Sequence, residues 1–267
     1  MTNNSTDLLS LFSSLGSLED GLNEYRLPLT SKLAGQQFEL YLEEDDKKIF
    51  IHFKNGNQLE WSSDGEPLTV EHYEAIEIRP NIFFVDWVYH ADPKQSLSIV
   101  IDLVAQESTL LWSQLPNAED ARPDLFERIK KLNDLSAVKV HITHAGINRK
   151  RTEKVHCRTT ELVGKRLKQA YSSQHAFEHI YLSERLFTWH SLMGPDKGLA
   201  DTDPVDYVKI ADNLYLYCWR ERLIPWVGIE MMDLLKMRSA GKVFYSDLVD
   251  PDKVTNYTIG AHLEFLS

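Results

Sequence analysis

YEAIEIRPNIFFVDW, from Tyr73 to Trp87, and YVKIADNLYLYCW, from Tyr207 to Trp219, share one pattern. Each begins at a Tyr, alternates through Ile, turns at an Asn and ends in an aromatic run closed by Trp. This pattern ends in a run of β-branched and aromatic residues with the character of a strand. Its recurrence at nearly constant spacing (207 − 73 = 134 and 219 − 87 = 132) signals an internal duplication.

Other landmarks repeat in the same order. Leu33-Ala34-Gly35 matches Leu162-Val163-Gly164, Trp61 matches Trp189, and Asp102-Leu103 matches Asp233-Leu234. Offsets that wander between 128 and 134 are those of small loop insertions between strands. The chain therefore divides into an extension over 1–30, a first half over 31–148, a basic linker over 149–158 and a second half over 159–267.

Strand-length apolar runs fill both halves: 48–53, 82–90, 97–104, 108–114 and 138–145, then 177–183, 185–191, 214–221, 228–235, 242–249 and 256–266. Asn55-Gly56-Asn57, Asp64-Gly65, Pro80-Asn81, Gly194-Pro195 and Ala240-Gly241 punctuate them. Short strands joined by tight turns predict a mainly β protein whose antiparallel sheets close into barrels. Helices are accessories: 5–15, with Ser5 as N-cap, and 121–135, where Leu125, Ile129 and Leu132 recur at helical spacing behind Pro123.

Composition narrows the function classes. The 267 residues carry 40 acidic and 29 basic side chains, a formal charge of −11. Nucleic acids and anionic membrane surfaces are bound by clustered Lys and Arg, so neither is an expected partner. No apolar run reaches the roughly 18 residues of a membrane span. No Lys or Arg precedes Arg26, so a basic secretory n-region is lacking and a cytoplasmic location is the expectation. Arg149, Lys150, Arg151, Lys154 and Arg158 read as a solvated linker rather than an anion site.

Motif absences point away from cofactors. The sequence has no G-x-G-x-x-G, no P-loop, no G-x-S-x-G, no H-E-x-x-H and no C-x-x-C. Cys157 and Cys218 are too few for a disulfide framework. His141 and His144 fall on opposite faces of a predicted strand. His175 and His179 could share a face, but no third ligand accompanies them, so no metal is expected.

Strand parity locates the candidate chemistry. Along 214–222, Tyr215, Tyr217, Trp219 and Glu221 share one face, and Leu214, Leu216, Cys218, Arg220 and Arg222 the other. The first half has Phe83, Val85, Trp87 and Tyr89 in the corresponding places, without an acid. If the first of these faces points into a barrel, the second half holds an aromatic pocket with one ionisable group. Burial among aromatics raises a carboxyl pKa and fits it for proton transfer near neutral pH. Glu221 is thus the candidate acid–base residue, with Tyr215 and Tyr217 positioning polar groups and Trp219 as a stacking wall. Glu230, His190, Tyr207, Tyr245 and His262 join as secondary ligand contacts. Trp189 is counted with them, although its shared position with Trp61 favours packing. Arg185, Arg220 or Arg222 would pair with a substrate carboxylate, but parity places the last two away from Glu221.

The duplicated 73–87 pattern and Leu162-Val163-Gly164 resemble the MoaF family from about Leu33 to the C-terminus. That resemblance implies two tandem lipocalin-like, or calycin, barrels; it supplies no catalytic residues. Cys218-Trp219-Arg220-Glu221 also resembles the S-W-T-E segment of phenolic acid decarboxylases, which are calycin barrels whose matching glutamate handles a proton. Only Trp219 and Glu221 match, and Arg222-Leu223-Ile224-Pro225 departs from that family. The expectation is a C-terminal barrel that binds a small, partly aromatic or apolar metabolite, with cofactor-free acid–base chemistry of lyase or isomerase type as its catalytic form. A non-catalytic carrier or sensor and a structural, homodimerising protein are the alternatives.

Overall fold

The computed structural model describes residues 21–44, 47–121, 125–132, 135–247 and 250–266. Two closed antiparallel barrels stand in tandem. The first runs in simple order through β1 (Gln37–Leu42), β2 (Lys48–Phe53), β3 (Gln58–Ser63), β4 (Thr69–Arg79), β5 (Ile82–Val88), β6 (Gln95–Asp102), β7 (Glu107–Gln114) and β8 (Lys139–Ile147), where β8 closes on β1. After a short β9 (Cys157–Arg158) come β10 (Arg166–Ala170), β11 (Ala176–Tyr181), β12 (Leu186–Met193), β13 (Ala200–Ala211), β14 (Leu214–Arg220), β15 (Trp226–Asp233), β16 (Arg238–Ser246), β17 (Val254–Ile259) and β18 (His262–Phe265). The β12–β13 pairing closes the second ring, while β17 and β18 both pair with β16 and β18 continues to β10.

Alternation sorts side chains as the sequence pattern requires. Phe83, Val85 and Trp87 fill the first barrel, and Tyr215, Tyr217 and Trp219 the second. Their alternate neighbours, Ile82, Phe84, Leu214, Leu216 and Cys218, meet in a third core between the barrels. Phe84 and Phe244 are completely buried there, each contributing about 1.5–3 kcal/mol by leaving water. Two polar pins cross the same interface. Lys242 Nζ lies 2.6 Å from Asp86 Oδ1 and donates to Ser96 Oγ at 2.7 Å. Arg79 grips Asp233 with Nε and Nη2, each at 2.8 Å.

The duplication is visible in the ladders. Asp102 and Asp233 each accept two backbone N–H bonds in the turn that follows their strand. Gly35 and Gly164 adopt φ of +80° and +85°, a left-handed conformation that glycine enters without steric cost. One landmark is corrected. Tyr73 pairs with Trp87, whereas the residue opposite Trp219 is Val205 and Tyr207 lies opposite Tyr217. Tyr73 therefore corresponds to Val205, two residues short of the Tyr–Tyr match.

Several boundaries differ from the sequence reading. The helix expected over 121–135 is helical at Leu125–Leu132, and the one expected over 5–15 lies outside the described residues. The run 256–266 is two strands, because the backbone turns at Gly260-Ala261 between β17 and β18. The linker is no solvated tether at Arg151: its guanidinium is buried and bonds to Glu107 Oε2 at 2.9 Å, to the His156 carbonyl at 2.6 Å and to Glu43. Residues 21–26 reach across to the second barrel, where Tyr25 N donates to the Tyr171 carbonyl at 3.0 Å and Leu22 is buried in its core.

Candidate functional site

A cavity of about 360 Å³ opens at one end of the second barrel. Its walls are largely apolar, with Phe177, Phe187, Trp189, Trp219, Trp226, Ile224, Val243 and Ile259 from the barrel and Leu22 from the N-terminal segment. That size suits a ligand of one or two rings. Polar groups enter from His179, Asp196, Asp201, Glu221 and Arg222.

Glu221 and Asp203 face each other by construction. The β13–β14 ladder pairs Val205 with Trp219, and continuing it by two residues sets Asp203 opposite Glu221. The two carboxyls hydrogen-bond to each other, which requires one of them to keep a proton. Burial, and then the charge of Asp203, push Glu221 well above the ordinary carboxylate range. Burial raises Asp203 as well, although the bond from Glu221 opposes that rise. Asp203 also accepts from Trp189 Nε1 at 2.9 Å and from the Arg222 amide at 3.0 Å. These donors favour charge on Asp203, so the shared proton belongs to Glu221. Glu221 is half-buried at the rim and Asp203 is sealed beneath it. The pair can give a proton to a bound molecule and take one back.

Below the cavity lies a connected polar cluster. Glu230 Oε2 accepts from Tyr217 at 2.5 Å and from Tyr171 at 2.9 Å. Gln169 Nε2 lies 2.9 Å from both the Tyr217 oxygen and His179 Nδ1. Ladder registers place the corresponding first-barrel residues: Leu40 for Gln169, Ile51 for His179, Val85 for Tyr217 and Ile99 for Glu230. The second barrel has thus exchanged a hydrocarbon interior for a hydrogen-bonded one. The first barrel keeps an acid at Glu71, the counterpart of Asp203, but Tyr89 replaces Glu221 opposite it.

The residues singled out from sequence scatter around this site. Trp189, Trp219 and Glu221 line the cavity together. Tyr217 and Glu230 belong to the cluster beneath it. Tyr215 points to the far end of the barrel, where its hydroxyl bonds to Glu161 at 2.6 Å. Six residues of strand, about 20 Å, separate it from Glu221. Tyr207 is buried in the core with its hydroxyl unpartnered. Tyr245 stacks on Trp226 with ring centroids 4.2 Å apart. His190 lies 3.3 Å from Glu178, and the exposed His262 packs against Tyr25. Parity misplaced Arg222, because β14 ends at Arg220 and the following turn brings Arg222 to the cavity, paired with Asp201. Arg220 pairs with Asp206 instead.

Asp203, Gln169 and His179 were not assigned to the site from sequence. The signal for Asp203 was present: Asp201, Asp203, Val205 and Tyr207 alternate on the inward face of β13. The turn carrying Glu221 is also held from the other barrel. Ser136 Oγ donates to the Glu221 carbonyl at 2.8 Å, and the Arg128 guanidinium donates to the Arg222 carbonyl.

Among the described residues no cluster of three or more His, Cys, Asp or Glu side chains forms a metal cage, and no helix is long and apolar enough to cross a membrane. Residues 10–117 match the MoaF N-terminal domain and residues 156–267 the MoaF C-terminal domain. Over 260 residues the chain is 31% identical to Protein MoaF of Klebsiella aerogenes, covering 97% of this chain and 96% of that protein. A crystal structure from Burkholderia vietnamiensis named a "putative beta-lactamase" aligns over 41% of this chain and 100% of its own, with 14% identity and a TM-score of 0.34, too distant a likeness to bear on function. With both halves matched in order and nearly the whole length aligned to a relative, the chain belongs to the MoaF family.

Proposed function

We propose that the C-terminal barrel binds a small, partly aromatic metabolite and moves a proton on it by cofactor-free acid–base chemistry of lyase or isomerase type. The observation that carries this reading is the Glu221–Asp203 pair, a proton-sharing couple at the rim of a largely apolar cavity. A protonated carboxyl there can donate to substrate, while the conjugate charge is stabilised across Asp203 by Trp189 Nε1 and the Arg222 amide. The aromatic walls suit a planar substrate. Arg222, already neutralised by Asp201, fits a role in shaping the rim rather than in capturing a free carboxylate.

The test is a thermal-shift screen of wild type and Glu221→Gln against hydroxycinnamates, monoamines and related small metabolites, followed by product analysis. A ligand selective for the native state raises the melting temperature by mass action. A compound converted by wild type, and bound but left unchanged by Glu221→Gln, establishes the reaction and its acid. Binding to both proteins without product would make the barrel a carrier and refute the proton transfer.

A further inference from the structure

The polar cluster under the cavity has a direction. Tyr217 and Tyr171 each have one proton, and both lie within hydrogen-bonding distance of Glu230 Oε2, at 2.5 and 2.9 Å. With its proton spent there, the Tyr217 oxygen receives a bond from Gln169, whose amide nitrogen lies 2.9 Å away. The same nitrogen is 2.9 Å from His179 Nδ1. Nδ1 is then an acceptor, and the imidazole proton resides on Nε2, the nitrogen that the cluster leaves free to serve the cavity.

His179 lines that cavity and is almost completely buried, edge-on to Phe187 and Trp219 with ring centroids 5.4 and 6.2 Å away. Burial lowers its pKa to about 3, so the ring stays neutral. The described cavity lining includes one cation, Arg222, and Asp201 neutralises it. A neutral donor in such surroundings rewards an uncharged oxygen and penalises a carboxylate, which would lose its hydration without gaining a counter-ion.

We infer that His179 is a specificity-determining residue whose Nε2–H donates to a neutral carbonyl oxygen, so that the C-terminal barrel selects aromatic ketones, aldehydes or esters over both hydrocarbons and free acids. This inference rests on the cavity being a binding site, but not on Glu221 performing any reaction. The first barrel, with Ile51 at the corresponding position, cannot make the selection.

Two measurements test it. Nitrogen-15 NMR of the wild-type histidines is expected to show His179 neutral and protonated on Nε2 from pH 5 to 8; an Nδ1–H or charged ring would overturn the inference without any ligand or variant. Calorimetric titration with 4-phenylbutan-2-one, 3-phenylpropanoate and butylbenzene is expected to show the ketone binding best, by about tenfold or more over the hydrocarbon. In His179→Phe, which keeps a ring and removes the donor, that preference should vanish. Equal affinity of wild type for ketone and hydrocarbon, or tighter binding of the acid, would overturn the assignment. If none of the three binds, the small-molecule reading fails along with it. A ketone preference without product from any compound would support the donor and refute only the proton transfer.

Discussion

Gly228 is the residue that makes room for the cavity's stacking wall. It lies directly across the ladder from Trp219, and a Cβ built on it would stand 2.1 Å from Cη2 and Cζ2 of that indole. An ordinary carbon contact is about 3.5 Å, so alanine would require the ring to move by about 1.4 Å. The indole has little freedom to do so, being stacked on Tyr217 at 5.2 Å and edge-on to Phe187 at 5.8 Å. Its open side is the cavity. Gly228→Ala should therefore cost about 1–3 kcal/mol through overpacking, offset by about 0.5–1 kcal/mol from removing a strand glycine. The displaced ring would take up ligand space. Urea unfolding reads the stability, and titration with 4-phenylbutan-2-one reads the cavity. A variant as stable as wild type with unchanged affinity would show that Trp219 is not held against Gly228 in solution. Leu97 occupies the corresponding first-barrel position, so that barrel cannot seat its Trp87 in the same way.

Two further outcomes follow from the buried charges. Glu221 and Asp203 have folded-state pKa values above their ordinary ones, so the stability they contribute is complete below the usual carboxylate range and is lost as pH rises through the raised values. The melting temperature of wild type should drop more between pH 5 and 8 than that of Glu221→Gln; equal drops would refute a shared proton. Lys242→Met should cost about 3 kcal/mol in urea unfolding, because Asp86 keeps bonds from Ser98 at 2.7 Å and Asn256 at 2.8 Å but loses its buried counter-ion. A loss under 1 kcal/mol would mean that the pair is not desolvated at the barrel interface.

The architecture was legible in the sequence because barrels are written in period-two alternation, and duplication doubles that signal. The bounds of Lys48–Phe53 match the sequence pattern to the residue, and parity separates the two faces of 214–220, although only the folded barrel decides which of them turns inward. β1, β3, β4, β10 and β13 are harder to see, since charged residues such as Glu39, Glu60, Lys168 and Asp203 interrupt their alternation. At Asp203 that interruption lies beside the cavity, a polar group tolerated inside because Glu221, Trp189 and Arg222 satisfy it. Parity groups Glu221 with Tyr215, Tyr217 and Trp219, but the Asp203 it faces comes from the neighbouring strand, and pairing register is a property of the folded sheet. The same limit hid Gln169 and His179, whose meaning arises only when β10, β11, β14 and β15 surround one interior.

Ser136 and Arg128 give the two halves a relation that the tandem repeat conceals. Each belongs to the connection between β7 and β8 of the first barrel, yet each ends on a backbone carbonyl beside the acid of the second. Leu22 repeats the arrangement from the other direction, leaving the N-terminal segment to complete a wall of the C-terminal cavity. Gene duplication usually yields modules that can be shuffled or trimmed, but here each copy has become part of the other's furniture. A C-terminal half produced alone would lose a wall and a brace of its cavity while exposing the core it shares with its twin, so the two halves are tied to a single folding fate.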